Sequence, residues 1–252
     1  MKSIQRFWLI LIPTVALGAV VYYYRTPAPQ PAHAAIARDR SDSVQSTCKC
    51  SEFLLKQAMK APGMGKESTL TLISSGDETS ADEPVLIATS KLPVSPIVTE
   101  GKKATDRQQE ALVSEFGKKC GAMPVTKRSP LMLLVRRSVE RLREAGCGRT
   151  PDQCRLYVQT DGVETTETEF AKLVSGRTKG VKTESILKID NTGITVIFFG
   201  ISETIGEREE KGQKKRFTRT RDSNSADLLR NAWQSVFTNP ETVRFEPFCP
   251  TN

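Results

Sequence analysis

Short apolar runs alternate along this chain with longer stretches whose apolar residues recur every three or four positions. Thr69-Leu70-Thr71-Leu72-Ile73 reads as a buried strand ending in the polar turn Ser74-Ser75-Gly76-Asp77. A second strand lies around Val85-Leu86-Ile87-Ala88, and a third over 155–160 leads straight into Asp161. Ile194-Thr195-Val196-Ile197-Phe198-Phe199, between Gly193 and Gly200, is apolar enough to be covered on both faces. Residues 242–248 add an edge strand. The helical pattern is clearest after Ser129-Pro130, where a hydroxyl can cap and a proline fits the first turn. There Leu131, Leu134, Val135, Val139 and Leu142 share one face, and Gly146 ends the run. Further helices are predicted over 51–59, from the capping box Thr105-x-x-Gln108 to Lys118, over 165–174 and over 225–237. The last carries the stripe Leu228, Leu229, Ala232, Trp233, Val236 and Phe237. Strands alternating with helices predict an α/β fold with a doubly wound, mostly parallel sheet.

The N-terminal end of the chain changes that picture. Lys2 and Arg6 precede an uncharged run from Phe7 to Tyr24, and Arg25 closes it. At about 1.5 Å per residue the run nearly crosses a hydrocarbon core. Tyr22, Tyr23 and Tyr24 stand where an interfacial aromatic belt would be. We therefore expect a signal anchor at 1–25, a tether with a short helix at 26–65, and one folded domain at 66–252. The tether assignment rests on the Pro, Ala and Ser content of 25–47, which shows no apolar period. The charge bias puts the N-terminus in the cytoplasm and the domain outside it, in a periplasmic or extracellular space. The alternative is secretion after cleavage at Ala32-His33-Ala34.

Six cysteines in an exported chain read as disulfides. Cys147 and Cys154 bracket a loop short enough to close locally. Cys48, Cys50, Cys120 and Cys249 leave three pairings open, and a zinc site at Cys48-Lys49-Cys50 is disfavoured by its one-residue spacing. The net charge of +8 favours anionic partners or simply a soluble surface.

Asp161 follows a strand at the end where open α/β sheets bind ligands, and Gly162 gives the chain room to turn. The segment Thr160-Asp161-Gly162, with Ser129-Pro130-Leu131 opening the preceding helix, resembles a von Willebrand factor A-type domain over roughly residues 66–248. The resemblance implies a protein-binding module with a metal-ion-dependent adhesion site. It maps the fourth-strand aspartate to Asp161 and a helix-start hydroxyl to Ser129. The family's Asp-x-Ser-x-Ser loop follows its first strand. With Thr69–Ile73 as that strand, Asp77 and Thr79 take the first two positions and Ala81 the third, so one hydroxyl is missing. The implied site is Asp77, Thr79, Ser129 and Asp161, for Mg²⁺ or Mn²⁺, with a partner's acidic group completing the shell. Glu164, Glu167 and Glu169 read as a solvated helix face.

Enzymatic readings find little support. The one histidine, His33, falls in the predicted tether, so no His general base is expected in the domain. A glycine-rich phosphate loop is also missing. We expect no enzyme. Two other readings stay open: a structural envelope protein that binds no metal, and an anion-binding module. The latter would use Lys214, Lys215, Arg216, Arg219 and Arg221 in the charged segment 207–221, read as a loop or frayed hairpin. Nucleic acid is a minor reading for an exported domain, and the oligomeric state is left open.

Overall fold

The computed structural model describes residues 31–41, 48–64, 68–75, 84–91, 99–122, 128–148, 153–166, 168–175, 186–201, 203–210 and 213–247. The apolar run 7–24, Asp77, Thr79, Glu167 and Cys249 lie outside them. Among the described residues, no helix is long and apolar enough to cross a membrane.

The elements in chain order are β1 (His33–Arg38), α1 (Cys48–Met59), β2 (Thr69–Ser74), β3 (Val85–Lys91), α2 (Thr99–Gly121) and α3 (Leu131–Glu144). There follow β4 (Cys154–Gln159), α4 (Thr168–Val174), β5 (Ile194–Phe199), β6 (Glu203–Glu210), β7 (Gln213–Thr220), α5 (Ser223–Ser235) and β8 (Val243–Glu246). Six strands form one sheet in the order β3-β2-β1-β4-β5-β8. All its neighbours run parallel except β2 and β3, which are antiparallel. This is the doubly wound, mostly parallel sheet that the alternating pattern predicts.

One correction is large. His33–Arg38, expected in the tether, is β1 and lies at the middle of the sheet, flanked by β2 and β4. Thr69–Ser74 is therefore the second strand and not the first. The period was hidden because both faces of β1 are covered. Ala35 and Ala37 join the core shared with α3, α4 and α5, while Ala34 and Ile36 join the core shared with α1 and α2. A strand buried on both sides needs no alternation.

His33 is correspondingly part of the fold. Its Nδ1 lies 2.8 Å from Thr69 Oγ1, and burial lowers its pKa. It stands at the amino end of β1, so the expectation of a His-free domain fails while the carboxyl end of the sheet still has no histidine among the described residues.

Disulfides bind the layers. Cys147–Cys154 forms as predicted, joining the end of α3 to β4. Cys48–Cys120 joins the start of α1 to the end of α2, and Cys50 is disulfide-bonded too, which removes the zinc alternative. The main core closes around Trp233, with the Phe170 and Phe198 rings at 4.7 and 4.8 Å.

Candidate functional site at the carboxyl end of the sheet

Strand polarity brings three loops together at one end. β1 runs directly into Asp39-Arg40-Ser41, β4 runs into Thr160-Asp161-Gly162, and Ser129 precedes α3. The Asp39 carboxylate is the centre of this group and is fully buried. Its Oδ1 accepts from the Ser41 amide at 2.9 Å and from the Ser129 hydroxyl at 3.1 Å. Its Oδ2 accepts from the Thr160 hydroxyl at 2.9 Å. Asp161 is close enough for its charge to act on Asp39.

Burial pushes the Asp39 carboxyl up to about 7, and the Asp161 charge adds to the rise against the pull of the Ser41 and Thr160 hydrogen bonds. Two like charges in a desolvated pocket disfavour each other's ionisation. Arg38 and Arg40 flank Asp39 in the chain, but both send hydrogen bonds to main-chain carbonyls. Arg38 donates to the Cys120 carbonyl at 3.1 Å, and Arg40 donates twice to the Ser75 carbonyl.

The supporting bonds fix each donor in place. Thr160 Oγ1 also accepts from the Gly162 amide, and Asp161 Oδ1 accepts from the Val163 amide at 3.0 Å. Gly162 has φ +82, and its carbonyl accepts from the buried Trp233 indole at 3.0 Å. A Cβ there would stand 3.1 Å from Ile201 Cγ1, so glycine is required both for the turn and for the space.

Two sequence readings are corrected at α3. Ser129 does not cap the helix; its hydroxyl turns to Asp39. The capping is done from across the site by Glu164, whose Oε2 accepts from the Met132 amide at 2.7 Å. Its Oε1 accepts from the amides of Thr165 and Thr166 and from the Thr166 hydroxyl. Glu164 is thus a buried brace and not part of a solvated face. Glu169, by contrast, pairs with Lys172 at the surface. The Ser129 amide donates to Thr165 Oγ1 at 2.6 Å, which locks the two loops together.

Of the predicted site residues, Ser129 hydrogen-bonds Asp39, and Asp161 lies near enough for its charge to act on it. The residue that sequence reasoning missed is Asp39 itself. Its signal was in plain view: Asp39-Arg40-Ser41-Asp42-Ser43 is an Asp-x-Ser-x-Ser run immediately after a strand. Ser43 lies outside the described residues. The donor set of two carboxylates with the hydroxyls of Ser41, Ser129 and Thr160 is all hard oxygen. That set fits Mg²⁺ or Mn²⁺ better than a soft metal. Among the described residues, no group of three or more His, Cys, Asp or Glu converges.

The charged segment 207–221 is a hairpin. β6 and β7 pair only with each other among the described strands. Lys214 stands opposite Glu209 and Arg216 opposite Glu207, whereas Lys215 stands opposite Arg208. Of the five predicted anion-binding residues, Lys214, Lys215, Arg216 and Arg219 lie in β7 and Arg221 follows it.

No family model and no curated protein matches the chain. Solved structures with a related outline include an aerotolerance-related membrane protein from Bacteroides fragilis, at 12% identity over 85% of this chain and 90% of that one, with a TM-score of 0.39. The VWA domain of SpRpn10 is 10% identical over 88% of this chain and 91% of its own, with a TM-score of 0.42. The manganese-loaded TRAP protein of Plasmodium vivax is 11% identical over 68% of this chain and 58% of its own, with a TM-score of 0.35.

Proposed function

We propose that this chain is a membrane-anchored, envelope-exposed protein-binding module of von Willebrand factor A type. The carboxyl end of its sheet holds Mg²⁺ or Mn²⁺ through Asp39, Ser41, Ser129 and Asp161, with Thr160 orienting the Asp39 carboxylate. The observation that carries this reading is the fully buried Asp39 beside Asp161. A divalent cation offsets that repulsion, and its remaining coordination positions suit a carboxylate from a protein partner. The disulfides fit an oxidising compartment. The anchor rests on the apolar run 7–24 and its flanking cations.

The role is non-catalytic in this reading. His33 is six residues from Asp39 along an extended strand, about 20 Å at strand rise, and cannot act as a base at the site.

Isothermal titration of the full-length chain with Mg²⁺ and Mn²⁺ tests the proposal. Saturable binding is expected in the wild type and in Asp77→Ala, and its loss in Asp39→Ala and in Asp161→Ala. A folded wild type that takes up neither cation would sink it.

A further inference from the structure

Cys147–Cys154 and Cys48–Cys120 sit at opposite ends of the sheet. The first joins the end of α3 to the start of β4, at the amino end. The second joins the start of α1 to the last turn of α2, at the carboxyl end, where the candidate cation site lies. Both helices that it staples hold the back of that site. Arg38, the last residue of β1, donates from its guanidinium to the Cys120 carbonyl at 3.1 Å. Carbonyls at a helix C-terminus lack intrahelical partners and form the negative end of the helix dipole, so a cation suits them. Ser51, in the first turn of α1, donates its hydroxyl at 3.0 Å to Oε1 of Gln159, the last residue of β4. Asp39 follows Arg38 directly, and Thr160 and Asp161 follow Gln159. Each strand end that carries a site carboxylate is thus tied to a helix end, and the disulfide ties those helix ends to each other. Arg38, Ser51, Cys120 and Gln159 are all buried.

The end of α2 relies on this cross-link. Val113, Phe116 and Cys120 bury one stripe of the helix, and helix ends fray. Opening the disulfide leaves the acceptor of a buried guanidinium on a frayed turn. Access also singles this disulfide out: Cys48 is half-buried, whereas Cys147 and Cys154 are both buried. Thiol–disulfide exchange needs a thiolate to reach a sulfur. We propose that Cys48–Cys120 is a redox latch on the cation site. Closed, it holds the Asp39 and Asp161 loops ready for the cation; reduced by a dithiol, it loosens them and lowers cation affinity. The proposal rests on reading that end as cation-binding. In the reduction the dithiol's thiolate attacks the Cys48 sulfur, the S–S bond breaks and Cys120 leaves as a thiolate. The dithiol's second sulfur then displaces Cys48 and closes the dithiol's own disulfide. Two electrons pass to the protein, and the dithiol's two protons end on Cys48 and Cys120.

The test uses the full-length chain in neutral detergent micelles, titrated calorimetrically with Mg²⁺. Cys48→Ser/Cys120→Ser should weaken binding by about tenfold or more, the loss expected for an outer-shell support, and Cys147→Ser/Cys154→Ser by less than about threefold. Arg38→Met should weaken binding too, and adding Cys48→Ser/Cys120→Ser to it should lower affinity little further, because the latch acts through that side chain. Graded dithiothreitol, followed by alkylation and mass spectrometry, should open Cys48–Cys120 before Cys147–Cys154. Unchanged affinity in Cys48→Ser/Cys120→Ser overturns the proposal, as do equal losses from both cysteine pairs, fully additive losses with Arg38→Met, or the reverse order of opening. Amide hydrogen exchange in EDTA gives a readout that needs no cation. Exchange over 38–41 and 159–163 should quicken in Cys48→Ser/Cys120→Ser and not in Cys147→Ser/Cys154→Ser. If the wild type takes up no Mg²⁺, the cation reading falls and exchange alone decides: selective quickening keeps the latch on these loops, and unchanged exchange removes it. If the serine pair fails to fold, wild type opened by dithiothreitol at Cys48–Cys120 and alkylated there is read by the same criteria.

Discussion

Asp39 makes the cation-free domain sensitive to pH. Its folded-state value of about 7 lies above the ordinary 3.8, so the folded chain binds more protons than the unfolded chain between those limits. Stability of the cation-free protein should therefore fall as pH rises from about 4 to about 7, by on the order of a few kcal/mol, and level off above. Urea melts at pH 5 and pH 8 in EDTA check the direction. Mg²⁺ should restore stability at pH 8, and Asp39→Asn should flatten the pH dependence while abolishing the Mg²⁺ effect. Equal melts at both pH values in EDTA would count against a strained carboxylate. Glu164 makes a second prediction at this scale. Glu164→Ala strands the Met132 and Thr166 amides and should cost at least about 1–3 kcal/mol, seen in the same melts. No simple pattern marks Glu164 in the sequence, because the helix start it caps, at Met132, lies more than thirty residues upstream.

The helices and strands β2 to β5 were legible because each shows a period or an apolar run. The stripe of α3 is buried as predicted, with Leu134 fully enclosed. Leu134→Ala should lose about 2–5 kcal/mol, whereas Leu187→Ala should change stability by less than about 0.5 kcal/mol. Leu187 is 71% exposed, so thermal melts of the pair separate core from surface directly. β1 was not legible for the opposite reason. Ala34-Ala35-Ile36-Ala37 has no alternation, since helices cover both faces, and its small side chains look like tether composition. That one missing strand is why the sequence reading looked for the Asp-x-Ser-x-Ser run after β2, at Asp77, and not after β1, at Asp39. The elements that carry Ser129 and Asp161, α3 and β4, were read correctly.

At the scale of the molecule, β1 joins two halves of the sheet, β3-β2 on one side and β4-β5-β8 on the other. A chain beginning at residue 45 keeps five of the six strands and should still fail to fold, giving aggregated protein or a disordered circular dichroism spectrum. Cleavage after Ala34 would strip the partners of Thr69, Leu70, Cys154 and Arg155 from the sheet. Intact-mass measurement of the mature protein should accordingly find His33 and Ala34 retained. The central place of the first strand also sets a timetable. β1 meets β2 soon after both are made, but β4 is synthesised more than a hundred residues later. At about 5–20 residues per second that interval is roughly 6–23 s. Throughout it the nascent chain presents an unpaired strand edge whose rightful neighbour does not yet exist, and any chaperone that attends this chain has that edge to shield.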